Sequence, residues 1–121
     1  MLGYKVFGAG IPGLAVQALC QDVATSVSAT GTTQGTATAL TSTVNYVGTV
    51  GASSGVILFS TATAGDSQVV YNGGANPVRV YPPVGARING LSTNAAAIIS
   101  INTAVEFHCI SATQWIGVLS A

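Results

Sequence analysis

The chain has 121 residues, enough for one domain with a modest core. Charged side chains make up only 5% of it, against roughly 25% in ordinary soluble domains, and three basic residues cancel three acidic ones. Nothing in that balance points to nucleic acid, an acidic substrate or an anionic membrane, so neither a nucleic-acid nor a membrane partner is expected. The apolar fraction, 49%, is too high for disorder. A free monomer of this composition lacks the net charge that keeps proteins apart. Such a chain is best accommodated when copies of itself, or a larger assembly, cover much of its surface.

Residues 1–27 form a Gly-broken apolar arm. Its uncharged run between Lys5 and Asp22, "VFGAGIPGLAVQALCQ", is shorter than the ~20 residues that span a bilayer. It also makes a poor secretory signal, because "GIPG" interrupts it and "ALC" is not a small-x-small cleavage site. Pro12 suits a first helical turn, and Leu14, Ala18 and Leu19 follow at helical spacing, which predicts a short helix over Pro12 to Ala24. "GAGIPG" fits Gly-x-Gly-x-x-Gly at Gly8, Gly10 and Gly13. No βαβ unit follows it, so a dinucleotide site is rejected. Residues 28–43, "SATGTTQGTATALTST", read as an uncharged linker. The expected division is therefore an arm and linker over 1–43 and a β domain over 44–121.

From Val44 onward, short apolar runs alternate with turn residues. Strands are expected at Val44–Val50, Val56–Ser60, Gln68–Asn72, Val78–Tyr81, Ala97–Ile101, Val105–Ile110 and Gln114–Leu119. Their spacing of roughly ten residues predicts an all-β fold, a compact β-sandwich or barrel-like domain of about seven to eight short strands behind an extended N-terminal arm. No internal repeat is evident. In "NGGANP", Gly73 and Gly74 can take positive φ and Pro77 fixes the entry to the next strand. In "PVRVY", Val78 and Val80 point to the core and Arg79 and Tyr81 point out. The prolines of "YPPVG" then stop the strand, and "INGL" is an Asn-Gly turn between Ile88 and Leu91.

Chemistry is sparse. In "AVEFHCIS", Val105, Phe107 and Cys109 face one way and Glu106, His108 and Ile110 the other. Glu106 and His108 are thus neighbours able to share a proton, although no Gly-x-Ser-x-Gly elbow accompanies them. Asp66 in "TAGDSQ" reads as a turn cap. Cys20 and Cys109 allow one bridge without requiring it, and no clustered ligands suggest a metal. Trp115 reads as a core or interface anchor. No enzymatic activity and no cofactor are expected.

Several motifs nevertheless stand together. They are "AGD" before a strand, Asn72 to Pro82 as N-x-GAN-x-V-x-VYP, Gly85 to Ala96 as G-x-x-ING-L-x-x-NAA, and Phe107 to Trp115 as F-x-C-x-SATQW. Over about Thr61 to Val118 this pattern resembles a β domain of bacteriophage head-fibre and capsid-decoration (cement) proteins. The resemblance implies a homotrimer on the outer capsid surface of a virion, bound to the major capsid protein. On that reading the arm grips the shell through Leu2, Tyr4, Phe7, Ile11 and Leu14. Subunit contacts would fall to Arg79, Tyr81, Arg87, Glu106, His108 and Trp115. An alternative is a fibre or tail module that recognises a host-surface glycan through Arg79, Tyr81 and the "PPVG" loop.

Overall fold

A computed structural model describes residues 22–119. The helix expected over Pro12 to Ala24 lies outside the described residues except for its end, where Val23 and Ala24 are strand. Among the described residues there are ten strands. They are β1 (Val23–Ser28), β2 (Thr38–Ala39), β3 (Val44–Thr49), β4 (Gly55–Ile57), β5 (Ser67–Asn72), β6 (Val78–Tyr81), β7 (Arg87–Ile88), β8 (Ala97–Ile99), β9 (Ala104–Ser111) and β10 (Gln114–Leu119), with one 3-10 turn at Gln34–Thr36. No helix among these residues is long and apolar enough to cross a membrane.

The strands form two sheets, ordered β1-β3-β5-β9-β10-β7 and β2-β4-β6-β8. Up to β8 the chain alternates between them, and through β6 each coil crosses to the opposite sheet and returns one strand higher; β7 lands instead at the far edge, beside β10. That path makes β1, β3 and β5 parallel neighbours in one sheet and β2, β4 and β6 parallel neighbours in the other. The fold is therefore a β-solenoid, not the expected sandwich or barrel. A parallel pair needs a long crossover, and here the strand of the opposite sheet supplies it. Beyond the coils, β8 runs antiparallel to β6, β9 antiparallel to β5, and β10 returns along β9 through a two-residue hairpin at Ala112 and Thr113. These strands close one end of the stack.

The segment read as linker belongs to the solenoid. Its Thr38 and Ala39 pair with Val56 and Ile57, and the preceding β1 pairs with β3. Val23 pairs with Val44, 21 residues on, whereas Val44 pairs with Val69, 25 residues on. Coils of unequal length leave no fixed period in the sequence.

The core between the sheets is built from Val47, Val56, Leu58, Val70, Val78, Val80, Ile88, Phe107 and Trp115. It also holds amides. Asn45, Gln68 and Asn72 are fully buried, and each hydrogen-bonds backbone groups of other segments. Gln68 accepts from Phe59 N (2.8 Å) and donates to Ser42 O (3.0 Å). Asn45 donates to Ser42 O and Val69 O, while its Oδ1 has no partner. Gly73 and Gly74 do not adopt positive φ; their role is close approach. A Cβ on Gly73 would strike the Tyr46 ring, and one on Gly74 would come within 2.8 Å of Val50 Cβ. Positive φ falls instead at Asn89 (51°), in the "ING" turn that Leu91 N closes on Ile88 O (3.0 Å).

Candidate functional site

Burial of Asn45, Gln68 and Asn72 inverts the usual polarity of a solvated sheet. Because side chains alternate along a strand, amides inside put valines and tyrosines outside. On the outer face of the six-stranded sheet, one cross-strand row runs Val23, Val44, Val69, Glu106, Val118. A second runs Tyr46, Tyr71, Ala104, and a third Ser67, His108, Ile116. Tyr46 and Tyr71 stack at 5.2 Å between ring centroids, and the Tyr71 hydroxyl donates to Asn102 Oδ1 (3.3 Å).

Seven large apolar side chains on or at the rim of this face, Val23, Val44, Tyr46, Ile110, Ile116, Val118 and Leu119, are 39% to 66% exposed. At such exposure they leave on the order of 600 Å² of apolar area open, the upper end of the ~300–600 Å² that a typical monomer shows in its largest patch. Two hollows indent the face. One, of about 420 Å³, lies against Val23, Thr25, Val44 and the two tyrosines. The other, of about 290 Å³, lies between Val69, Glu106, Val118 and Leu119.

The alternation expected in β9 is observed, and it brings Glu106 and His108 together at the centre of this face. His108 Nε2 lies 2.7 Å from Glu106 Oε1. The pair is open to solvent, 34% and 53% exposed for the two side chains, and in water such a pair adds roughly 0–1 kcal/mol.

The other expected contact residues scatter. Trp115 is 1% exposed, so its ring is core and not an interface anchor; it sits inward on β10, paired with Cys109. Tyr81 does point to the outer side of the four-stranded sheet, but the chain covers it. Its ring lies over Gly55 and its hydroxyl donates to Thr32 O (3.2 Å). Gln34 fastens the same loop by donating to Pro82 O (2.8 Å) and Asn94 Oδ1 (3.2 Å). Arg79 remains half-buried beside a hollow of about 400 Å³ with Ser53, Asn76 and Ile98, far from any stacking role with the covered Tyr81. Arg87 is exposed and donates from Nε to Gln114 Oε1 (2.8 Å), bracing β7 on β10. Leu2, Tyr4, Phe7, Ile11 and Leu14 lie outside the described residues, as does Cys20.

Cys109 is a buried free thiol; burial raises its pKa, with the charge of Asp66 adding to the shift. Among the described residues no group of three or more His, Cys, Asp or Glu could hold a metal ion. Searches against protein-family models, curated proteins and solved structures return no match to this chain.

Sequence reasoning found Glu106 and His108 but missed the valines and tyrosines around them. The missed signal was in β5, "SQVVYN". Only one of its faces can be inward, and the amide-bearing face was the one that packed.

Proposed function

We propose that the protein is a structural virion protein, a capsid decoration protein that assembles as a homotrimer on the outer shell and stabilises it. The observation that carries this reading is the uncovered apolar face of the six-stranded sheet on a chain with almost no charge. A surface of that kind favours association over chemistry, because its stabilisation comes from apolar area removed from water at about 25 cal/mol per Å². The motif pattern over Thr61 to Val118 supplies the virion context, and the apolar arm supplies a means of gripping the major capsid protein. Many copies on a shell make individually weak contacts add up. The glycan alternative loses its aromatic platform, since Tyr81 is buried against the chain's own loop.

The direct test is co-sedimentation with capsids stripped of the protein. The full chain should pellet with them to saturation. Replacing Tyr4, Phe7 and Ile11 by Ser should abolish pelleting while leaving the β fold intact by circular dichroism. Full-strength binding by that variant would remove the arm from the account.

A further inference from the structure

We propose that the outer face of the six-stranded sheet is the self-association surface of this protein, covered by a second copy of the same chain. This rests on the reading above that the face serves assembly, and it relocates the subunit contact away from Arg79, Tyr81, Arg87 and Trp115.

Three observations select a copy of this chain as the occupant. The first is charge. The face carries one carboxylate and one imidazole, Glu106 and His108, and they bridge each other at 2.7 Å. A carboxylate already hydrogen-bonded on its own face asks no donor of a partner. The second is size. A standard interface buries about 800 Å² per partner. The exposed apolar side chains named above, with Thr25, Ser67 and the Glu106–His108 pair around them, approach that area without help from another surface. The third is shape. Val118, 56% exposed, stands on the outer face near the β10 margin. The hollow of about 420 Å³ beside Val23, Val44 and Tyr46 lies at the β1–β3 margin. An apolar side chain at one margin and a hollow at the other let each copy give one edge and receive on the other. That is the heterologous contact from which a ring closes.

The opposite sheet offers a contrast. The part of its outer side around Tyr81 is already roofed by the loop around Thr32 and Gln34, which bonds to Tyr81 and Pro82. Its cation, Arg79, has no carboxylate partner among the described residues; its contact is with Ser53 Oγ at 3.5 Å. Two such sides would bring like charges together.

Once covered, the Glu106–His108 pair passes from water into a dry contact. Losing His108 then leaves the Glu106 carboxylate bare. Truncating the partner of a buried, hydrogen-bonded carboxylate weakens association about 30-fold or more. Losing both leaves a smaller, apolar, neutral centre.

Sedimentation of the full chain tests this. Wild type should run as a multiple of 12.0 kDa. Val118→Glu and Val44→Glu should each run as monomers with unchanged circular dichroism, because both side chains are on the outer face. Mixing the two should restore pairs of twice the monomer mass, since one keeps the hollow beside Val44 and the other keeps Val118. His108→Ala should weaken association about 30-fold or more, and Glu106→Ala with His108→Ala should recover most of that loss. Arg79→Glu, on the other sheet, should leave the mass unchanged. A monomeric wild type, a Val118→Glu chain of wild-type mass, or His108→Ala at wild-type strength would each overturn the proposal. None of these outcomes depends on capsids, so a self-associating chain that fails to pellet with shells would count against the decoration role alone.

Discussion

Replacing Asn72 by Ala should be among the most damaging single changes outside the apolar core. The Asn72 amide is fully buried at the end of β5 and makes three bonds. Its Nδ2 donates to Asn76 O (2.9 Å) and to Ile99 O (3.0 Å), and its Oδ1 accepts from Gly74 N (2.9 Å). One side chain thus shapes the "NGGANP" loop and ties the six-stranded sheet to β8 of the other. Gly74 and Asn76 are only partly buried, so water can replace the amide there, and each lost bond costs about 1 kcal/mol. Ile99 is 3% exposed, and its stranded carbonyl costs about 1–3 kcal/mol. The total is about 3–5 kcal/mol. At roughly 4–8 °C per kcal/mol for a domain near this size, the midpoint should fall by about 12 °C or more. Asn72→Asp should be worse than Asn72→Ala, because it turns a negative charge toward two carbonyl oxygens. The assay is thermal and urea unfolding by circular dichroism at one fixed protomer concentration, since self-association alters apparent stability. A loss below about 1 kcal/mol for Asn72→Ala, or Asn72→Asp as stable as Asn72→Ala, would refute the claim that this amide joins the sheets.

Other consequences are equally specific. Gly73→Ala should push the Tyr46 ring off its stack with Tyr71, read as a change in the near-ultraviolet tyrosine spectrum, while the strand content holds. Gly55→Ala has no such escape, because a Cβ there meets the Arg79 carbonyl at 2.8 Å as well as the Tyr81 ring; it should cost about 1–3 kcal/mol in urea unfolding. Trp115 is the sole tryptophan and is buried, so native emission should be blue-shifted and should move red in a single step on unfolding. In a Cys20→Ser background, the Cys109 thiol should resist labelling by a disulfide reagent near neutral pH. Its pKa is raised in the folded state by burial and then by Asp66, so the folded protein keeps the proton longer than the unfolded chain. The stability this gives is whole below the ordinary thiol pKa and is lost as pH rises through the raised one, and Cys109→Ala should flatten that alkaline slope.

The strands from Val44 onward were legible because period-two alternation and Gly, Asn and Pro turns are local signals. Expected and observed bounds agree closely at Val78–Tyr81 and Gln114–Leu119. The Val78 and Val80 core pair and the two faces of β9 were legible for the same reason. The path of the chain was not. Alternation specifies a strand but not whether the following turn folds back or crosses to another sheet, so a parallel solenoid and an antiparallel sandwich read alike. Unequal coils, 21 residues from Val23 to Val44 and 25 from Val44 to Val69, erased the period that would have separated them. β1, with register shifts at Ala24, Val27 and Ser28, and the two-residue β2 and β7 were too irregular or too short to stand out. The apolar outer face of the six-stranded sheet carried no such local signal. Amides usually face water, but Asn45, Gln68 and Asn72 turn inward to satisfy the backbone of broad turns, which leaves Val44, Tyr46, Val69 and Tyr71 outside. Tyr81 was placed on the correct side of its strand; the loop that covers it comes from 49 residues earlier, beyond the reach of local reasoning.

The central claim is that this protein holds a shell together by covering apolar surface between subunits. Scanning calorimetry of capsids stripped of the protein, and of the same capsids after it is added back, tests that claim most directly. The account predicts that the stripped shells melt at lower temperature, that the wild-type chain restores the original transition, and that Val118→Glu restores it only in part. Stripped shells that melt with complete ones would contradict it.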